Sequence, residues 1–596
     1  MADSEEKAQG GHREAWALHL TMRDGVRLAV DVTLPGDASG PVPTLLRATR
    51  YWRNRERPPE EAAVLPDEVE VFTGAGFALV RVDVRGTGAS FGTWTCPWSE
   101  DEIADLAEVV DWIVAQPWSN GRVGAFGDSY DGNLADLVAA TGHPALKAVA
   151  PRFGDYDPFR HLVLPGGILL VGFLERWARG TRALDTNDLT DIAAIHGVGL
   201  EEVRAVVGEP DRVDGDEDGA LLAAAVAEHA ANLDVWSYAT RLACHDDEAA
   251  QALGTLRLSP FARREEIEKS GVAFFAWGSW FDGGTAAGVL SRFGTVGNPQ
   301  EVVIGAWAHG GKTNASPYAP PASTSVPTPH EQFAELAAFF RSHLATDAPP
   351  PAPRRRIRYW TVGEEAWHET DVWPPEGTVM RRLHLAADGA LDDAPPAAEE
   401  GADVYEVDFS ASTGPQTNRW QTQVAGDPVV YGDRAEADAR LLTYTSAPLD
   451  RAIEVTGHPV VSLYVRSTHA DGGFYAYLEE VAPDGRVTYL TEGQLRALHR
   501  AVSDEPPPYA VAGPFHSFLA ADAEPLVPGE VATVAFALFP VSALVRKGHR
   551  LRLALAGHDE GTFARIPAEG EPVVTVERNR TYPSYLEVPV RPRGER

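Results

Sequence analysis

The sequence predicts an α/β domain split by a helical insertion and followed by a β-sandwich of jelly-roll type. Three patterns carry that prediction. Apolar strand-like runs alternate with helical stretches from Val26 to about Ala150, and again from Val272 to Leu344, as in a mostly parallel sheet covered on both faces. Residues 152–265 between them are rich in Ala, Leu, Glu and Asp at helical spacing. Beyond the proline-rich stretch Asp347–Pro353 the apolar period switches to two. A chain of 596 residues exceeds one compact domain, and an apolar fraction of 44%, with 15 Trp and 22 Phe, supplies sizeable cores. The expected division is an α/β core in two parts, 1–151 and 266–350, a helical cap at 152–265, and the sandwich at 351–596.

Taken in order, VRLAVDVTL, TLLRAT and FALVRVD read as strands, and Glu102–Ala115 reads as a helix. Arg122–Phe126 is the next strand, Asn133–Ala140 a helix, and LKAVA another strand. The insertion carries helical runs such as GALLAAAVAEHAANL and acidic loops such as DRVDGDEDGA. Helices over the carboxyl edge of such a sheet shape a pocket. The α/β pattern resumes with the strands Val272–Trp277 and Val302–Ile304 and the helix Gln332–Leu344. After the linker, RRRIRYWTV, MRRLHLAA, RLLTYTSAP, HPVVSLYVRS, GFYAYLEEV, RVTYLTEG, VATVAFALF and HRLRLALAG read as sandwich strands. Pro483-Asp484-Gly485 between two of them is a turn, because glycine accepts the positive φ such turns need.

Charge narrows the function. Eighty-six acidic against 52 basic residues, a net −34, repel phosphate backbones and anionic lipid heads, so neither nucleic acid nor a membrane is expected as a partner. Leu162–Leu174, the most apolar segment, is broken by Pro165, Gly166 and Gly167 and is too short to span a bilayer. The N-terminal MADSEEKAQGGHREA is polar, and a cytoplasmic location is expected. Cys96 and Cys244 stand far apart in no metal-ligand spacing, so neither a disulfide framework nor a structural zinc site is expected, and the expected chemistry below is free of metal and cofactor. A homo-oligomer is compatible with all of this.

The chemistry centres on VGAFGDSYDG, residues 123–132. A short apolar strand stops at Ser129 between small residues and restarts as a helix, as a nucleophile elbow requires. The spacing departs from the general G-x-S-x-G, since the second glycine, Gly132, falls at Ser129 plus three. A serine hydroxyl needs an imidazole base, and the imidazole needs a carboxylate to orient it. In α/β-hydrolases the order is Ser, Asp or Glu, His. Asp282 in FFAWGSWFDGG and His309 in VIGAWAHGG follow the two late strands in that order; the separation of 153 from Ser129 to Asp282 is longer than a plain hydrolase core needs, and the cap accounts for the excess. His143, His161 and His330 follow no late strand, and Asp128 and Asp131 read as turn or helix-start residues.

These residues sit within longer stretches: MRDGVRLAVDV (22–32), RVDVRGTGAS (81–90), DLAEVVDWIVAQPWSNGRVGAFGDSYDG (105–132), GSWFDGG (278–284), GAWAHG (305–310) and LTYTSAPLD (442–450). In them the chain resembles the cocaine esterase and X-prolyl dipeptidyl-peptidase family of serine hydrolases, the CocE/NonD group, from about residue 17 to 590. G-x-S-Y-x-G is that family's form of the elbow. The resemblance implies an α/β-hydrolase fold with cap and jelly roll, Ser129 as nucleophile, His309 as base and Asp282 as orienting acid. It implies an oxyanion hole from the Tyr130 N–H and the hydroxyl of Tyr51, although Arg50 stands where the family commonly has proline before that tyrosine. It makes RVDVRGTGAS structural, although its glycines look like a phosphate loop.

The leading expectation is a hydrolase of small-molecule esters, or amides, acting through an acyl-enzyme. The alternatives are an X-Pro dipeptidyl aminopeptidase or an amino-acid ester or β-lactam acylase and, in another class, a catalytically silent carbohydrate-binding protein. Gly283 and Gly284 after Asp282 are not the carboxylates that would anchor a substrate ammonium. Trp52, Trp177, Trp280, Phe281 and Trp307 are the candidate walls of an aromatic acyl pocket.

Overall fold

The computed structural model describes residues 14–36, 39–56, 67–254, 257–346, 349, 351–414, 418–421 and 428–592. The polar N-terminal segment up to residue 13, and residues 347, 348 and 350 of the proline-rich linker, lie outside the described residues. The first sheet has ten strands: β1 (Ala15–Thr21), β2 (Arg27–Thr33), β3 (Val42–Thr49), β4 (Ala78–Asp83), β5 (Ser119–Asp128), β6 (Leu146–Arg152), β7 (Ala273–Ser279), β8 (Gln300–Gly305), β9 (Arg355–Thr361) and β10 (Ala366–Thr370). Their spatial order is β1-β2-β4-β3-β5-β6-β7-β8-β9-β10. β2 is antiparallel to β1 and β4, β10 is antiparallel to β9, and the strands between run parallel.

Central strands such as β4 and β7 are buried along their whole length, because helices cover both faces. One face packs Leu106, Val109, Val110 and Ile113 of the helix Glu100–Val114, and the other packs Phe339 and Phe340 of Pro329–Leu344. Both helices start at capping boxes, Ser99 with Glu102 and Thr328 with Glu331, so the chain turns into them at defined angles.

RRRIRYWTV is not a sandwich strand. β9 pairs in parallel with β8, Val302 opposite Ile357, and the first sheet extends to Thr370, past the expected boundary at 350/351. The alternation that suggested a sandwich is that of a strand near a sheet edge. Ile357 and Tyr359 point into the core, while Arg356 pairs with Glu301 and Glu369, and Arg358 with Glu335. The all-β domain begins at Val379, and among the described residues its thirteen strands are almost wholly antiparallel. The hairpin joining Gly473–Val481 to Val487–Arg496 turns at Gly485, φ +92°.

Between β6 and β7 lie the helices Val171–Thr186, Thr190–His196, Leu200–Val207, Ala220–Glu228, Val235–Ala239, Glu248–Ala252 and Arg264–Ser270. Among the described residues, no helix is long and apolar enough to cross a membrane. The sheet and sandwich join through Val362, whose N–H donates to Ser542 O (2.9 Å) and whose carbonyl accepts from the Leu544 N–H (2.8 Å).

Candidate active site

β5 ends at Asp128, and the helix Tyr130–Leu137 starts immediately after Ser129. Ser129 takes φ 61°, ψ −124°, a conformation costly for a side chain-bearing residue. Close packing holds the turn. A Cβ on Gly127 would lie 2.5 Å from Asp131, and one on Gly132 2.5 Å from Arg152 O in β6. The Ser129 N–H donates to that same Arg152 carbonyl (2.8 Å). The second glycine falls at plus three because that is where the new helix crosses β6.

Asp282 and His309 follow the C-terminal ends of β7 and β8. His309 Nδ1 lies 2.9 and 3.0 Å from the two Asp282 oxygens. Burial pulls the His309 pKa down, and the Asp282 carboxylate outweighs it, leaving the imidazole above the ordinary histidine value. The Tyr51 hydroxyl lies beside the Ser129 side chain, and both border the same cavity. Asp282 itself is fully buried. Its neighbour Gly283 is clamped by the sandwich: the Gly283 N–H donates to Arg419 O (2.8 Å), and Arg419 Nε and Nη2 donate back to Gly283 O (3.1 and 2.7 Å).

Tyr51 accepts a hydrogen bond from Trp177 Nε1 (2.9 Å). Burial pushes its hydroxyl up to about 12, so the phenol keeps a proton to donate. Tyr130 opens its helix, so its N–H is one that a helix leaves without an intrahelical acceptor. Its hydroxyl is buried, accepting from Trp94 Nε1 and the Trp98 N–H and donating to Glu102. Arg50, in the unusual place before Tyr51, is fully buried. It contacts both oxygens of Asp185 in the cap at 3.0 Å and lies over the Trp94 and Trp177 rings. The substitution thus ties the tyrosine loop to the cap.

Two cavities meet at Tyr51 and Trp177, which wall both. The smaller, about 70 Å³, includes Ser129 and Asp155 and is lined by Trp98, Leu162, Phe173 and Leu174. The larger, about 770 Å³, runs past Trp52, Arg47, Asp128 and Lys312 under cap residues such as Leu184 and Ile192. Of the expected aromatic walls, Trp52 and Trp177 are present, whereas Trp280, Phe281 and Trp307 wall neither cavity. Trp280 bonds Trp360 O and stacks on Trp373, Phe281 packs on Tyr431 and Tyr489, and Trp307 stacks on Trp277. They follow strands whose side chains fill the core. Phe173 and Leu174, on the cap helix that carries Trp177, had a signal that sequence reasoning passed over, apolar residues at i and i+1 with Trp177 at i+4 in an otherwise charged helix. Asp155 had no such signal.

The other candidates have other roles. His143 pairs with Asp111, His330 is exposed, and burial lowers His161 to about 4. Asp128 pairs with Arg152 and Asp131 with Arg47. The RGTG turn folds around the Asp83 carboxylate, which accepts from the Arg53 and Ala89 N–H groups. Among the described residues, no group of three or more His, Cys, Asp or Glu is arranged to hold a metal ion.

The family model for X-Pro dipeptidyl-peptidase (S15 family) matches residues 24–311, and that for the X-Pro dipeptidyl-peptidase C-terminal non-catalytic domain matches 352–587. A Mycobacterium bovis protein provisionally named a serine esterase is 40% identical over 96% of this chain and 94% of its own. The chain belongs to the X-Pro dipeptidyl-peptidase S15 family. It is therefore a serine hydrolase, which sets aside a catalytically silent sugar-binding protein. The cocaine esterase of a Rhodococcus strain is 26% identical over 98% of this chain and 99% of its own. The crystal structure of an aminopeptidase from a marine sediment Thaumarchaeota archaeon shares the fold, with TM-score 0.73 at 22% identity over 99% of both chains. Strands β9 and β10 fall inside the match to the non-catalytic domain, yet here they extend the first sheet.

Proposed function

We propose that this S15-family protein is a carboxylesterase in which Ser129 is the nucleophile, His309 the base and Asp282 the acid that orients it. One observation carries the reading: Ser129 occupies a strained strand-to-helix turn bordering an apolar cavity, with the Tyr51 hydroxyl beside it. Ser129 Oγ attacks the ester carbonyl while His309 takes its proton, and the oxyanion receives hydrogen bonds from the Tyr51 hydroxyl and the Tyr130 N–H. His309, held in one tautomer by Asp282, then protonates the leaving alcohol and activates water to release the acid. The inserted helices act as the cap. The protein's buried free thiols, Cys96 and Cys244, suit a reducing cytoplasm. The test is Ser129→Ala: turnover of p-nitrophenyl acetate and labelling by a fluorophosphonate both disappear, and retained labelling would reject the assignment.

An X-Pro dipeptidyl-aminopeptidase has one observation in its favour. Asp155 borders the Ser129 cavity, and its Oδ1 has no hydrogen-bond partner among the described residues. Burial, with Asp282 nearby, raises that carboxyl to about 8, so ionising it to hold an ammonium costs free energy, which favours the esterase. Gly-Pro-p-nitroanilide turned over faster than p-nitrophenyl acetate or benzoate would reverse the order.

A further inference from the structure

The two cavities at Ser129 differ in chemistry as well as size. The larger holds five cations, Arg47, Arg53, Arg55, Arg81 and Lys312, against two carboxylates, Glu68 and Asp128. Both carboxylates are already paired: Glu68 lies 2.7 and 2.9 Å from Arg47 Nη1, and Asp128 lies 3.2 Å from Arg152. Arg53 is committed to Asp31 and Asp83. Three cations keep donors to spare. Arg55 and Lys312 have no carboxylate partner among the described residues, and Arg81, 9% exposed, pairs with Asp31 through Nη2 (3.2 Å) while its Nε has no partner among the described residues. Arg81 also stands directly opposite Arg47 on adjacent strands, which brings the two guanidinium groups to one side of the wall. In a chain of net charge −34 with five lysines, this wall is cationic against the trend of the molecule.

Reaction geometry says which part of a substrate meets that wall. Ser129 borders the small cavity and not the large one. In the acyl-enzyme the carbonyl carbon is bonded to Oγ, so the acyl chain must fill the small cavity. The leaving oxygen must face the imidazole that protonates it, and Lys312 follows His309 by three residues along the wall of the large cavity.

Resting on the reading of Ser129 and His309 above, we infer that the preferred substrates are esters of short apolar acids whose alcohol or phenol carries a carboxylate, held in the large cavity by Lys312, Arg55 and Arg81. The Ser129 Oγ–acyl bond forms, the acyl–oxygen bond breaks, and the serine proton passes through His309 to the departing anionic alcohol. Guanidinium groups match a carboxylate with paired donors, and a charge-assisted contact of this kind corresponds to about a tenfold preference.

The experiment compares kcat/KM for 4-acetoxybenzoate and its methyl ester, which share acyl group and ring and differ in one charge, each rate divided by that of the same ester with hydroxide. The carboxylate is expected to be favoured about tenfold at low salt, and less at 0.5 M NaCl. Lys312 is exposed, so Lys312→Glu leaves the fold intact, which a thermal melt checks; it should bring the ratio below one. A ratio at or below one in the unaltered protein, or one that Lys312→Glu leaves unchanged, overturns the inference while the esterase reading stands. If neither ester is turned over, or turnover survives Ser129→Ala, both fall.

Discussion

Replacing Arg419 with methionine should slow catalysis from within the domain whose family description is non-catalytic. The guanidinium is fully buried, donates twice to Gly283 O and reaches Tyr489 Oη (3.3 Å). Methionine fills comparable space without a donor, leaving the carbonyl beside Asp282 buried and unpaired. Such a loss costs about 1–3 kcal/mol, which is about fivefold to 150-fold in kcat if it falls wholly on the alignment of Asp282 with His309. A pH profile separates this from loosened packing. His309 must be neutral to act, and its pKa stands above the ordinary value because Asp282 outweighs the effect of burial. A carboxylate held less firmly lets that pKa fall, so the acid limb of kcat/KM should move to lower pH. Arg419→Lys should restore part of the rate. If Arg419→Met folds with kcat within about twofold of the parent and an unmoved acid limb, the clamp plays no part in catalysis.

Tyr51→Phe removes one oxyanion donor and should lower kcat by about 10²–10³ with little change in KM; a fall below tenfold would leave Tyr51 as packing. Gly132→Ala puts a methyl against the rigid Arg152 carbonyl and should lower the urea midpoint, with an overpacking cost of about 1–3 kcal/mol; an unshifted midpoint would refute the close approach. Glu102→Gln tests the buried carboxyl under Tyr130, which burial raises from 4.5 to about 7. The folded protein keeps a proton that the unfolded chain releases between those values, so stability falls as pH rises through that window. The glutamine variant should lose up to about 1.4 kcal/mol per pH unit of that slope, and an identical slope in both proteins would contradict it.

The α/β part was legible because its buried strands are apolar throughout and its helices amphipathic, and those patterns survive any tertiary context. So were the strand-end positions of Ser129, Asp282 and His309, since strand ends and chain order are sequence properties. β9 was misassigned because RIRYW alternates equally well near the edge of a mixed sheet and in a sandwich; its partner, β8, lies fifty residues away. The pocket was half legible. Trp280, Phe281 and Trp307 neighbour Asp282 and His309 in sequence, and only tertiary packing turns them into core.

The departures from common motifs proved informative, because each records a contact. Gly132 sits at plus three because the helix after Ser129 crosses β6 at Arg152, and the position that glycine vacates, Asp131, becomes a buried carboxyl paired with Arg47. Arg47 in turn holds Glu68 and stands opposite Arg81, so the elbow's spacing is linked through one guanidinium to the cationic wall of the large cavity. Arg50 before Tyr51 repeats the logic: a proline there could not reach Asp185, and the tyrosine loop would lose its anchor in the cap. Removing that anchor by Asp185→Asn should therefore loosen Tyr51 and Trp177 together, which wall both cavities. The loss should appear in kcat for neutral and anionic esters alike, unlike a change at Lys312, which should separate them.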